Sequence, residues 1–189
     1  MDLDKIKSIE DEKKRISDLQ ESLKPLILKI RDIASRISDQ KNSYIFSDFA
    51  DIFSHEGYEL RKVSDTKIIA VFKSFMIELT YNGDNYNLKY NDKHYLFTVQ
   101  FNGKENNVSN CQVTLDSDNN VVCINNARVS IDFLNMQIKY LNDDINWLTN
   151  IENNRDNNKL TYIVDNEKSS TSTKGTFGSL QELIEALPD

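Results

Sequence analysis

The sequence predicts an α+β fold, and three observations carry that expectation. Apolar residues recur at heptad spacing over roughly the first forty positions, alternate with a period of two between Tyr58 and Ile124, and return to heptad spacing from Ser130 to Glu152. The expected architecture is a long N-terminal heptad helix, an antiparallel β-meander of about six strands, a long second heptad helix packed on the sheet, and a short C-terminal strand and helix. Along the chain this divides into a coiled-coil-like helix over 1–40, an α+β body over 41–152, and a flexible connection with the last strand and helix over 153–189.

In the first helix Ile9, Ile16, Leu23, Ile30 and Ile37 fall seven apart, and Leu19, Leu26 and Ile33 follow three residues after the middle members, which makes an a/d seam. Up to Leu19 the seam is narrow, and Glu12 interrupts one of its d positions. Beyond Leu23, Ile27 and Ala34 widen it into the broad face of a helix that lies on its own core. The narrow part, Ile9, Ile16 and Leu19, is therefore expected to project and meet another helix. Pro25 removes one backbone hydrogen bond and crowds the preceding turn, an effect of about 3 kcal/mol in a helix interior. Because the heptad phase passes through it unshifted, a continuous kinked helix is expected, with Ser22 available to cap a new start if the helix breaks. A separate short helix is expected from Tyr44 to Ser54, where Ile45, Phe49, Ile52 and Phe53 share one side, ending near Gly57.

The alternating region reads as hairpin-linked strands. Phe75, Ile77, Leu79 and Tyr81 share a face; after Asn82-Gly83 come Tyr86, Leu88 and Tyr90; after Asn91-Asp92-Lys93 come Tyr95, Phe97, Val99 and Phe101. Cys111, Val113 and Leu115, then Val122 and Ile124, continue the series, and Ile69 and Val71 precede it. The intervening Glu78, Thr80, Asn87, Lys89, Thr98 and Gln100 leave the other face wet. The chain carries 22 Asn, concentrated at these connections, and Asn tolerates the left-handed backbone of tight turns.

In the second long helix Ile131, Leu134, Ile138, Leu141, Ile145 and Leu148 alternate at spacings of three and four. Phe133, Tyr140 and Trp147 occupy every c position and form a second apolar side, roughly 160° around from the a positions. One side suits the first helix and the other the sheet, or either meets a partner, so these aromatics join Ile9, Ile16 and Leu19 as interface candidates. If the two seams pair within one chain, an antiparallel arrangement is expected. After a polar connection come a short strand, Leu160 to Val164, and a Ser/Thr-rich stretch, Ser169 to Thr176, expected to be mobile. Ser179-x-x-Glu182 is a capping box for a final helix with Leu180, Leu183, Ile184 and Leu187 on its apolar face, and Pro188 stops it.

The net charge of -7, from 23 Lys and Arg against 30 Asp and Glu, disfavours nucleic acid and anionic lipid. No apolar run is long enough to cross a bilayer, and Met1-Asp2-Leu3-Asp4 lacks the charged and apolar regions of a signal peptide, so a cytoplasmic protein is expected. Cys111 and Cys123 are too few for a disulfide framework or a cysteine-based zinc site, and read as reduced packing residues. Gly175-x-x-Gly178 lacks the Lys-Ser/Thr pair of a phosphate loop, and no Gly-x-Ser-x-Gly occurs. His55 and His94 have no motif around them, and a metal set of His55, Glu56, Asp92 and His94 requires the fold to join distant segments. No cofactor and no metal is expected.

These features point to a noncatalytic interaction protein, such as an assembly factor, adaptor, inhibitor or immunity-type protein, that pairs with another protein or a second copy through helical seams. The alternatives are a small-ligand binder using the cleft between sheet and helix, and an enzyme with an unsignalled site near His55 or His94. In a complementation assay in the native host, His55→Ala combined with His94→Ala is expected to retain full function. Loss of function with an unchanged circular dichroism spectrum would instead assign catalysis to these histidines.

Overall fold

A computed structural model describes residues 3–83, 85–101, 110–125, 127–154, 159–164 and 175–187. The elements in chain order are α1 (Leu3–His55), β1 (Glu59–Ser64), β2 (Lys67–Phe72), β3 (Phe75–Tyr81), β4 (Tyr86–Tyr90), β5 (Lys93–Phe101), β6 (Val113–Leu115), β7 (Val121–Cys123), α2 (Ile131–Asn153), β8 (Leu160–Val164), β9 (Gly175–Phe177) and α3 (Leu180–Glu185). The fold is α+β, with an antiparallel seven-stranded sheet in the order β1-β2-β3-β4-β5-β8-β9 and a separate pair, β6-β7. The chain forms two compact units: one from Met1–Ile37 with Asn107–Arg155, and a second from Ser38–Asn106 with Asp156–Asp189.

The second unit is built around the seven-stranded sheet. Period-two alternation places Ile77, Leu79, Tyr86, Leu88, Tyr95, Phe97 and Val99 on the buried face, as expected from their spacing. In β2 the buried residues are Ile68 and Ala70, so the inward positions are the neighbours of the expected Ile69 and Val71. Cross-strand register lines up Tyr81 with Tyr86 and Tyr86 with Phe97. The rings continue from Phe97 to Tyr162 on β8, with centroids 4.9, 5.3 and 6.0 Å apart along this row. The β4–β5 turn is made by Asn91 and Asp92, both left-handed at φ 47° and 61°, which matches the twist of the strands it joins.

Residues 38–55 of α1 cover this row, with Ile45, Phe49 and Phe53 buried in the same core as Leu180 and Leu183 of α3. The separate helix expected from Tyr44 to Ser54 is instead the end of a single 53-residue helix. Polar side chains on this stretch of α1 are turned toward hydroxyl and carbonyl groups of the sheet. Ser38 Oγ lies 3.2 Å from Tyr81 OH, Lys41 Nζ donates to the Val99 carbonyl at 3.3 Å, Tyr86 OH donates to Asn42 Oδ1, and Tyr162 OH donates to Asp48 Oδ2 at 3.4 Å. The hydroxyls of the buried Tyr86 and Tyr162 thereby keep partners, without which burial costs about 1–3 kcal/mol each.

β8, expected in a flexible connection, lies between β5 and β9 with Tyr162 and Val164 buried. The end of the Ser/Thr-rich stretch, Gly175 and Thr176, belongs to β9, and its earlier residues lie outside those described. In α3 the Ser179 Oγ accepts from the Glu182 backbone N–H at 3.1 Å, while Glu182 Oε2 accepts from the Gly178 N–H at 2.8 Å, one residue before the expected reciprocal bond.

The first unit joins the beginning of α1 to β6, β7 and α2. Leu23 and Ile27 share a core with Val113 and Leu115 of β6 and with Leu134 and Leu141 of α2. α2 thus packs on a sheet, here the β6-β7 pair, and on α1 at once. Glu152, at the end of α2, pairs with Arg36 at 2.6 Å, while Leu134, near its start, shares a core with Leu23 and Ile27, so α1 and α2 run in the same direction. The antiparallel pairing expected for the two seams is not formed. α1 passes Pro25 without interruption, and Ser22 donates to the Leu19 carbonyl at 2.7 Å within the helix, not as a cap. Asp116 shapes the β6–β7 turn by accepting from the backbone N–H groups of Asp118 and Asn120 at 2.9 and 2.8 Å, which holds its carboxyl below the usual range. Ser130 caps α2 by accepting from the Phe133 N–H at 3.2 Å.

Burial raises the Asp48 carboxyl above its usual range, the bond from Tyr162 works the other way, and the neighbouring Asp51 adds to the rise. An acid whose pKa rises on folding holds its proton more tightly in the folded chain. It therefore lowers stability above its folded pKa, and that penalty disappears as pH falls below the unfolded value of 3.8. Asp48→Asn, which keeps an acceptor for Tyr162, is expected to raise the urea midpoint at about pH 7 and to leave it unchanged at about pH 3. An equal change at both pH values would show that charge is not the cause.

Candidate functional site

Two apolar features of the first unit stand out. The first is the tip of α1. Every residue from Leu3 to Arg15 is exposed, and Leu3, Ile6 and Ile9 are 60%, 45% and 44% exposed. The pairing of Arg36 with Glu152 sets the start of α2 beside α1 at the level of Arg15, so about three turns of α1 extend past it. Charges of both signs surround the apolar row, with Asp4, Lys5, Lys7 and Glu10 in sequence and a 2.8 Å ion pair from Lys13 to Glu10.

The second feature is a recess of about 320 Å3 where α1, β6 and α2 meet. Its apolar walls include Ile27, Ile30, Val113, Leu141 and Leu148, with Trp147 beside them. Arg31 and Asp144 bring one charge of each sign. Arg31 Nη2 is held by Thr114 Oγ1 at 3.2 Å and by the Leu115 carbonyl at 3.5 Å. Cys111 also lines the recess, and burial pushes its thiol up. The segment carrying Cys111 is fixed by Gln137 of α2, a fully buried side chain whose Oε1 accepts the Gln112 backbone N–H at 2.6 Å.

The six interface candidates fall in different places. Ile9 lies on the exposed tip; Ile16, Leu19 and Phe133 are half-buried against the core of the first unit; Tyr140 is half-buried on α2; Trp147 lines the recess. The expected projecting arm, Ile9 to Leu19, is therefore shorter at its inner end and extends outward to Leu3. Leu3 and Ile6 were missed because they stand outside the a/d phase, and the recess was missed because its lining comes from distant stretches of the chain, α1, the β6 region and α2. Arg31 carries no local signal of its own.

His55 closes α1, and His94 of β5 accepts from Asn87 Nδ2 at 3.1 Å on Nδ1. Among the described residues no three His, Cys, Asp or Glu side chains are grouped to hold a metal. Cys111 and Cys123 are both half-buried and neither is in a disulfide, and Cys123 pairs across the strands with Val113. The second unit has an open polar cleft lined by residues such as Asp39, Asn42, Ser43 and Tyr81, where Lys62 and Asp65 pair with each other at 2.8 Å.

The molecule is an α+β protein with an uncovered helix tip and an apolar recess in the same unit. No protein-family model matches the chain, and no curated protein or solved structure matches it.

Gln137→Leu removes the acceptor of the Gln112 N–H, a loss of about 1–3 kcal/mol, and also removes the buried Gln137 Nε2, which finds no partner among the described residues. The second effect offsets part of the first. A net destabilisation of about 1 kcal/mol is expected from the urea midpoint, with increased access of a thiol reagent to Cys111. An unchanged midpoint and unchanged thiol access would show that Gln137 does not hold the recess wall.

Proposed function

We propose that this chain is a noncatalytic protein–protein interaction protein of the cytoplasm, of the assembly-factor, adaptor, inhibitor or immunity type, and that it binds through the tip of α1. The supporting observation is the apolar row Leu3, Ile6 and Ile9, exposed on a helix that extends about three turns beyond α2. Water-exposed apolar side chains gathered on one projecting element cost solubility and mark binding surfaces more often than isolated ones do. The partner is a protein with an apolar groove, met by helix-in-groove docking. The net charge of -7 disfavours nucleic acid, and no helix among the described residues is long and apolar enough to cross a membrane.

A second class, a small-ligand binder, draws support from the recess. Its volume of about 320 Å3 lies at the lower end of ligand sites, roughly 300–1,000 Å3. Titration with an apolar fluorophore, followed through Trp147 emission, measures that alternative directly.

The tip is tested by Leu3→Asp, Ile6→Asp and Ile9→Asp together. Exposed substitutions of this kind change stability by only about 0.5 kcal/mol, so the variant is expected to remain folded. Pull-down from the native host with quantitative mass spectrometry is expected to recover a stoichiometric partner, or a second copy, with the wild type. The triple variant is expected to lose it at least tenfold. Equal recovery of the same partner by both proteins would remove the tip from the interface.

A further inference from the structure

We infer that Asn82 is a self-modifying site, at which the chain converts its own side-chain amide to a carboxylate with water as co-reactant. This goes beyond the binding role of the tip and does not depend on it. Asn82-Gly83 is the single Asn-Gly step among the described residues, and Asn102-Gly103 lies outside them. In the reaction the backbone nitrogen that follows an asparagine attacks the asparagine's own Cγ. It needs a nitrogen that no neighbouring side chain screens, a polarised amide carbonyl and a leaving group open to water.

The β3–β4 turn brings these together. Gly83 has φ 95°, and a Cβ added there would meet nothing within 4 Å, so the approach to its nitrogen is open. Its N–H makes no hydrogen bond among the described residues. Asn82 Oδ1 accepts the Asn85 backbone N–H at 3.0 Å, which draws electron density from Cγ and holds the carboxamide in the turn. Asn82 is exposed, so its nitrogen can leave into solvent. Tyr81 OH donates to the Gly83 carbonyl, and the Asn82 N–H donates to the Asn85 carbonyl at 3.1 Å, so the residues on both sides of the reacting atoms are fixed. Asn119 offers a contrast within the same kind of turn: the nitrogen after it, that of Asn120, is already donated to Asp116 at 2.8 Å.

The atoms balance as follows: Gly83 N gives up its proton and bonds to Cγ, the Cγ–Nδ2 bond breaks, and Nδ2 departs with that proton as ammonia. Water then opens the cyclic imide. Opening at Cγ gives aspartate, and opening at the main-chain carbonyl gives isoaspartate, with the chain now routed through the side-chain carbon. Either product adds a negative charge, and isoaspartate also lengthens the main chain inside the turn that the Asn85 bonds close.

The test keeps the full chain folded at mildly alkaline pH in water enriched in heavy oxygen and maps it over time by peptide mass spectrometry. Heavy oxygen is expected to enter at Asn82 at least tenfold faster than at Asn85, Asn91 or Asn119, and no more slowly than in the urea-unfolded chain. Isoaspartate at position 82 is expected to accept a methyl group from S-adenosylmethionine through an isoaspartate methyltransferase. Gly83→Asp, a residue type that tolerates left-handed backbone, screens the nitrogen and is expected to slow the conversion at least tenfold with an unchanged circular dichroism spectrum. A folded chain that keeps Asn82 intact while the unfolded chain loses it would show that the turn protects the amide, which overturns the inference. Conversion of Gly83→Asp at the wild-type rate overturns it as well, because the reaction then does not run through the Gly83 nitrogen.

Discussion

Tyrosine hydroxyls under a helix set the terms for much of this structure. The row Tyr81, Tyr86, Phe97 and Tyr162 gives the seven-stranded sheet a continuous aromatic face, and it buries Tyr86 and Tyr162 almost completely. Their hydroxyls need partners inside the covered face, and Asn42 and Asp48 supply them, with Ser38 beside Tyr81. These partners serve only if residues 38–48 are helical, because the helical repeat returns a side chain to the same face every three to four positions. The consequence is one helix of 53 residues where a shorter pair would otherwise serve.

The same helix then supplies half of a second core. Leu23 and Ile27 face α2 and β6, and Arg36 ties α1 to the end of α2 through Glu152. Since α2 has 23 residues and its end is fixed at Arg36, its start falls short of the beginning of α1. The exposure of Leu3, Ile6 and Ile9 follows from this difference in length. In the same unit, β6 and β7 are only three residues each, too short to cover α1 and α2 completely, and the recess lies beside them.

Most of the elements were legible because each carries a local pattern. The alternation from Phe75 to Phe101, the turn residues Asn82-Gly83 and Asn91-Asp92, the spacing of Ile131 to Leu148 and the capping Ser179 are all decided by near neighbours in sequence. What failed depends on distant partners. Lys41 and Asn42 fall between two expected helices until the sheet beneath them is known, and β6 with β7 reads as more meander until the pairing excludes it. Of the candidate site, Ile9 and Trp147 were visible in the heptads. The recess was not, since Arg31 meets Cys111 and Asp144 only when α1 packs against a distant stretch of the chain.

The shared direction of α1 and α2 bears on the order in which the chain acquires its structure during synthesis. Leu23 and Ile27 emerge from the ribosome early, while Leu134 and Leu141, which share their core, follow more than a hundred residues later. At about 5–20 residues per second that interval is on the order of ten seconds. Throughout it the nascent helix presents a bare apolar face, and the residues of the seven-stranded sheet up to Phe101 are already out. The nascent chain is thus a client for a chaperone that shields amphipathic helices until α2 emerges, and β8, β9 and α3 follow to complete the second unit.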